Sequence, residues 1–170
     1  MIILKPFDRK DFERLINWVD NEEILAQFGG PIFSFPLTIK QLEEYKNDKQ
    51  RLSFKVVDQL SKTTIGHAEL FPSNDNTTMK ICRVLIGDKI NRGQGFGQRI
   101  INELLKISFL KPGKEKVELN VYDWNRNAIK CYEKVGFIIN PGKISKSEVT
   151  GNICTAINIT IDKQHWTNVL

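Results

Sequence analysis

Gly87-Asp88-Lys89-Ile90-Asn91-Arg92-Gly93-Gln94-Gly95-Phe96-Gly97-Gln98-Arg99-Ile100-Ile101 is the stretch on which the fold turns. Before it, Met79 to Ile86 is a largely apolar run that reads as a strand. After it, Ile100, Ile101, Leu104, Leu105 and Ile107 to Phe109 recur at helical spacing until Pro112-Gly113 stops them. Glycine between a strand and a helix permits positive φ and removes side chains, so that successive backbone N–H groups can converge on an anion at the helix N-terminus. The implied ligand carries phosphate, and Lys89, Arg92 and Arg99 flank the loop. The dinucleotide fingerprint would need glycine at position 98 or 100, which are Gln98 and Ile100. The Walker loop would need Gly-Lys-Ser/Thr, whereas Gly97 is followed by Gln98-Arg99.

Outward from the loop, the chain alternates strands and helices. Ile2 to Leu4 reads as a first strand, Asp8 opens a helix carrying Phe12, Leu15, Ile16 and Val19, and Ile24, Leu25 and Phe28 continue as a second turn or helix ended by Gly29-Gly30-Pro31. The proline-broken stretch Ile32 to Leu37 reads as a loop with exposed aromatics, and Thr38 caps a helix to about Lys49. From Leu52 the period changes to two. Leu52 to Val56 and Thr64 to Leu70 form a hairpin, with Ile65, His67 and Glu69 expected on one face, and Met79 to Ile86 is a third strand in the meander. Val117 to Val121 is a strand, Ala128 to Val135 a helix ended by Gly136, and Phe137 to Ile139 and Ile153 to Ile161 are the last strands. This order specifies a mixed α/β (α+β) class, with an antiparallel meander followed by βαβ crossovers.

Composition narrows the function. The 170 residues carry a formal net charge of +5, with 41% hydrophobic and 26% charged residues, as in an ordinary globular chain of one domain, residues 1–170. No run approaches the roughly 18 apolar residues of a membrane span, and Met1 to Leu4 meets Lys5 and Pro6 too soon for a signal peptide, so neither membrane nor secretion is expected. Cys82, Cys131 and Cys154 show no Cys-x-x-Cys pair, and His67 and His165 are the only histidines, so neither a disulfide framework nor a metal site is expected and the cytoplasm is the implied compartment. Residues 1–60 hold 9 basic and 10 acidic side chains, residues 61–170 hold 16 and 10. The excess comes as single residues rather than in blocks, which argues against nucleic acid and for a small polyanion bound by the second part of the chain.

Arg92, Gly95 and Gly97 form Arg-x-x-Gly-x-Gly, which resembles the acyl-CoA pyrophosphate loop of the GNAT superfamily of N-acetyltransferases. Asn125-Arg126-Asn127-Ala128, followed by Tyr132 ahead of Gly136-Phe137, looks like that family's later motif on the helix after the fifth strand. The opening Leu4-Lys5-Pro6-Phe7 with Asp11-Phe12 is similar to the branch that includes ribosomal-protein N-terminal acetyltransferases. The resemblance implies a mostly antiparallel central sheet flanked by helices and splayed between the fourth and fifth strands. It implies acetyl-CoA as co-substrate, and transfer of its acetyl group to a primary amine of a small molecule or a protein N-terminus. A non-catalytic acyl-CoA-binding or sensor module is the alternative.

Carried over residue by residue, the resemblance assigns Leu85, Ile86 and Gly87 to backbone contacts with the pantetheine arm and thioester. Arg92, Gly93, Gln94, Gly95, Phe96, Gly97 and Gln98 fall at the pyrophosphate, Asn125 at the pantetheine arm, and Tyr132 serves as general acid to the departing thiolate. Backbone N–H groups at such a strand end can also stabilise the oxyanion formed on amine attack. Glu69 is the candidate base, directly or through water and assisted by His67, with Asp123 and Asp88 as competitors. Trp18, Phe28, Phe33, Phe35 and Trp124, with the acidic Asp20-Glu22-Glu23, are candidates for the acceptor groove. The apolar strand Ile153 to Ile161 offers an edge through which a homodimer could form.

Overall fold

In the computed structural model, which describes residues 1–149 and 151–169, seven strands form one sheet. They are β1 (Ile2–Pro6), β2 (Leu52–Asp58), β3 (Thr64–Pro72), β4 (Thr78–Ile86), β5 (Lys116–Tyr122), β6 (Ile138–Val149) and β7 (Asn152–Asp162), in the order β1-β2-β3-β4-β5-β7-β6. Every neighbouring pair is antiparallel except β4 and β5. Helices α1 (Phe12–Trp18), α2 (Glu22–Gly29) and α3 (Ile39–Asn47) lie between β1 and β2, α4 (Phe96–Leu110) crosses from β4 to β5, α5 (Arg126–Val135) follows β5, and α6 (Lys163–Val169) follows β7. Two parallel neighbours need such a crossover, which is why the longest helix stands between β4 and β5. The mixed α/β class expected from the element order is the one observed, and so is the mostly antiparallel sheet that the resemblance implies.

Helices cover both faces. Ile100, Ile101, Leu104 and Leu105 of α4 are fully buried against Met79, Ile81, Val117, Leu119 and Ile161 of the sheet, each burial stabilising by about 1.5–3 kcal/mol. Phe12, Leu15, Phe28, Leu42 and Tyr45 form a second core among α1, α2 and α3. Ala68 and Leu70 belong to the α4 core while His67 and Glu69 touch Tyr45, so the two layers lie on opposite faces of β3. The caps are those the residue types favour: Asn21 Oδ1 accepts from Ile24 N at 2.9 Å, Thr38 Oγ1 from Gln41 N at 3.3 Å, and Asp8 and Asp11 make a reciprocal capping box around a single 3-10 turn, Arg9–Asp11.

The α1–α3 layer is fastened by buried ions as well as apolar contact. Asp11 takes Lys55 Nζ at 2.9 Å and Arg14 Nη1 at 2.8 Å. Burial raises its pKa, but the Lys55 ammonium, the Asp8 N–H and Arg14 outweigh that and hold the carboxyl below the usual carboxylate range. Further along, Glu69 is fully buried: Oε1 receives Arg83 Nη1 at 2.6 Å and Arg51 Nη1 at 3.0 Å, and Oε2 accepts the Tyr45 hydroxyl. Asp48 holds Arg51 Nε at 3.2 Å, completing a row of alternating charges from α3 to β4. The His67 ring sits between Phe7 and Phe28, with centroids at 4.7 and 5.3 Å, and its Nδ1 lies 3.0 Å from the Arg83 carbonyl oxygen.

Four elements depart from the sequence reading. Val56 pairs with Gly66 and Val57 with Thr64, so Ile65 is an extra residue that joins the α4 core, and only His67 and Glu69 share the opposite face. β6 runs for 12 residues rather than stopping at Ile139; Pro141-Gly142 interrupts its ladder between Ile139 and Ile144, and pairing with β7 then resumes. β7 is not an edge strand, since it lies between β5 and β6. α6 carries no apolar stripe that periodicity could find. Among the described residues no helix is long and apolar enough to cross a membrane.

Burial pushes the His67 imidazole down to about 4 from its ordinary 6.5, the Arg83 guanidinium adding to the effect and the Arg83 carbonyl opposing it. The unfolded chain therefore binds this proton first as pH falls. The stability tied to neutral His67 is complete above pH 6.5 and is lost toward pH 4, to a total of about 3 kcal/mol. Urea unfolding of the wild type should lose about 2 kcal/mol more than His67→Asn between pH 7 and 4.5; parallel slopes for the two proteins would show that His67 is not the group responsible.

Candidate functional site

β4 and β5 pair only at Thr78, Met79 and Lys80, opposite Lys116, Val117 and Glu118. Beyond those positions each keeps its other partner: β4 stays on β3 through Ile86, and β5 stays on β7 through Tyr122. The result is a V-shaped gap between the C-terminal ends of two parallel strands. A bulge marks its β4 wall. Glu69 pairs with Cys82 and His67 with Leu85, so Arg83 and Val84 both face Ala68, and Arg83 adopts the left-handed region at φ 50°.

The gap exposes backbone donors. Gly87 N–H donates to Ile65 O at 3.0 Å, so by strand alternation the N–H of Ile86 points the other way, into the gap. Side chains divide in the same manner. Leu85 packs against the α1–α3 layer, Ile86 against the α4 layer, and a Cβ added at Gly87 would run into the Trp18 ring. Leu85, Ile86 and Gly87 thus stand between two half-sites.

On the α4 side lies the glycine loop. Gly93 at φ 76° and Gly95 at φ 77° hold left-handed conformations in open space, and Gly95 is the residue before the first turn of α4. That first turn leaves backbone N–H groups without intrahelical partners, directed outward from a buried Phe96. Arg92 differs from expectation in its geometry: Nε and Nη2 donate to the carbonyls of Ile86 and Gly87 at 3.2 and 2.9 Å, tying the loop to the strand end. Gln94 likewise turns back, donating to Ile90 O at 2.6 Å. These two side chains shape the loop, which Lys89 and Arg99 flank in the chain, the Arg99 guanidinium lying over the Phe96 ring at 5.3 Å. Gln98 is half-buried on α4.

α5 closes the far wall. A Cβ at Gly97 would lie 3.0 Å from Cys131 Sγ and 4.0 Å from Ile86 Cδ1, so the start of α4, the middle of α5 and the end of β4 meet at one point. Tyr132, next to Cys131, packs on the α4 core beside Phe137, and its hydroxyl makes no hydrogen bond among the described residues. Burial pushes the phenol upward, and Cys131 adds to the shift. Asn125 Oδ1 caps α5 through Ala128 N at 3.3 Å, which leaves its amide NH2 group uncommitted.

On the α1–α3 side a pocket of about 320 Å³ is lined by Glu22, Leu25, Ala26, Phe33, Phe35, Glu148 and Val149. Phe33 and Phe35 are there as expected; Phe28 is buried beneath, stacked on Phe33 at 6.0 Å, and Trp124 stacks on Tyr122 at 5.5 Å instead. Of the acidic cluster, Glu22 alone reaches the pocket lining. Glu148 was missed because it lies on the late part of β6, which the alternation did not reveal. Glu69, expected as the base, is fully buried among two arginines and Tyr45, with both oxygens already hydrogen-bonded. His67 is equally enclosed, whereas Asp123 is exposed at the end of β5 and its carboxylate makes no hydrogen bond among the described residues.

The chain is 28% identical over 138 residues to a spermidine N(1)-acetyltransferase of Vibrio cholerae, covering 81% of this chain and 79% of that protein. It is 22% identical over 148 residues to an aminoglycoside N(6')-acetyltransferase of Klebsiella pneumoniae, covering 80% and 73%. The crystal structure of spermidine N-acetyltransferase from Vibrio cholerae, in complex with CoA and spermine, superposes with a TM-score of 0.82 at 24% identity over 98% of both chains. Residues 8–137 match the model of the acetyltransferase (GNAT) family, which spans the splayed strands, the glycine loop and α5. The chain belongs to the GNAT family of acetyl-CoA-dependent N-acetyltransferases.

Proposed function

We propose that this protein acetylates a primary amine of a small cationic molecule, the amine attacking bound acetyl-CoA directly in a ternary complex. The observation that carries the reading is the open β4–β5 gap, with the Ile86 N–H directed into it and the α4 N-terminus beside it, while α2, which packs on β4, carries one wall of the pocket that holds Glu22 and Glu148. The backbone of Gly93 to Gln98 takes the pyrophosphate at the start of α4. The pantetheine arm lies along Leu85 to Gly87, hydrogen-bonded there and by the Asn125 amide. A pocket of about 320 Å³ admits a small molecule more readily than a folded protein's terminus, and Glu22 and Glu148 suit a substrate with more than one positive charge.

In the reaction, the amine nitrogen attacks the thioester carbon and the carbonyl electrons move to oxygen, where the Ile86 N–H donates to the oxyanion. Collapse re-forms the carbonyl and breaks the C–S bond. The attacking nitrogen sheds its proton to Asp123 through water. The departing sulfur accepts a hydrogen bond and then the proton of the Tyr132 phenol, which is protonated at neutral pH. Three unpaired cysteines suit a reducing compartment such as the cytoplasm, and we read residues 1–170 as one catalytic domain.

Thiol release from acetyl-CoA with a panel of diamines, polyamines, aminoglycosides, amino acids and peptides tests the reading: turnover is expected with the polycationic small molecules. Binding of CoA with silence across the panel would instead identify an acyl-CoA-binding module. Tyr132→Phe should lower kcat by about 10²-fold and leave acetyl-CoA affinity within about twofold, and unchanged turnover would remove its role as acid. Asp123→Asn should lower kcat by about tenfold or more. Unchanged turnover in Asp123→Asn would remove it as the base.

A further inference from the structure

The left-handed residue in the β4 wall is not a glycine. Arg83 at φ 50° would ordinarily cost about 1 kcal/mol or more, and it persists only where its surroundings over-determine it. Two contacts do so, both from β3. The His67 ring lies 3.0 Å through Nδ1 from the Arg83 carbonyl oxygen, and the Arg83 guanidinium reaches Glu69 at 2.6 Å. A carbonyl oxygen can only accept, so Nδ1 carries the proton, and a buried imidazole kept neutral has no proton for Nε2, which is buried without a partner.

The geometry points to His67 and Glu69 as positioning residues that lock the Arg83 bulge from its carbonyl and its side chain, and so aim the Ile86 N–H into the gap. This rests on the transferase reading for its catalytic consequence but not for the lock itself. Neither residue touches the reacting atoms. His67 grips the backbone one residue before Val84, within the bulge that separates Cys82 from Leu85, and Ile86 follows directly. Glu69 in turn is held by Tyr45 and by Arg51, itself paired with Asp48, so the anchor of the bulge reaches back to α3. The unpaired Nε2 is the mark of this arrangement: a buried polar atom is left without a partner so that the other ring nitrogen can hold the Arg83 carbonyl.

Asparagine places an amide N–H near the position of Nδ1, and leucine fills the site without a donor. Hydrogen–deuterium exchange across residues 81–87, acetyl-CoA affinity by calorimetry, and kcat with KM are to be compared for wild type, His67→Leu and His67→Asn. His67→Leu should speed exchange in that segment and weaken acetyl-CoA binding by about tenfold, with a loss in kcat, while His67→Asn restores all three to within about threefold. Wild-type exchange and affinity in His67→Leu would overturn the lock, and so would equal damage in both variants, which would reduce His67 to a space-filling residue. Should His67→Leu not fold, His67→Ser against His67→Asn gives the same contrast, since serine is too short to reach the carbonyl. If no amine supports turnover in the wild type, the transferase reading fails while exchange and affinity still decide the lock.

Discussion

A sheet can leave backbone donors unpaired only where something else will satisfy them. In this protein the constraint falls on one place, the divergence of β4 from β5 after a pairing of three residues. Strands that stay paired on their outer sides, β4 with β3 and β5 with β7, cannot rotate to close the gap without breaking ladders that run almost their full length. Their inner edges beyond that pairing are not joined to each other, and in the function proposed above the pantetheine arm, with its own amides, supplies the missing strand. The rest of the site follows from where the gap lies, at the C-terminal ends of two parallel strands, where the connecting helix must begin.

The beginning of α4 turns that requirement into anion recognition. Gly93 and Gly95 in left-handed conformations let the chain leave β4 and enter the helix within a few residues, and Arg92 spends its guanidinium on the carbonyls of Ile86 and Gly87. That side chain ties the loop to the strand end, and the N–H groups of the loop keep directions set by the fold. Gly97 marks the junction: a Cβ there would lie 3.0 Å from Cys131 Sγ, so α4 and α5 approach closely at this residue.

How much of this was legible in the sequence depended on whether a signal lay in periodicity or in pairing. α4 carries its apolar stripe over 15 residues, and the glycine loop and the Asn125 to Phe137 segment are local in the chain, so helix, loop and donor residues could all be read from the sequence. The bulges could not. Strict alternation on Thr64 to Leu70 placed Ile65, His67 and Glu69 together, but one extra residue opposite β2 turned Ile65 to the other face. The same alternation made Glu69 look like a solvent-facing base. Arg51 and Tyr45, which bury it, are 18 and 24 residues away, and no spacing rule links them. β6 escaped because Pro141-Gly142 and the lysines after it have the composition of a loop, although its partner β7 pairs with it on both sides of the break.

The acceptor half shows the same division more sharply. In the function proposed above, donor binding relies on backbone groups of a contiguous segment, so its motif is readable in the sequence. The pocket opposite is made by side chains from α2, from the aromatic loop at Phe33 and Phe35, and from the end of β6, segments more than 100 residues apart. Its two carboxylates come one from each part of the chain, Glu22 from the slightly acidic first 60 residues and Glu148 from the basic remainder. Net charge by segment therefore misdescribes it: two glutamates, one from each part of the chain, are brought to one pocket by α2 and the β6–β7 hairpin.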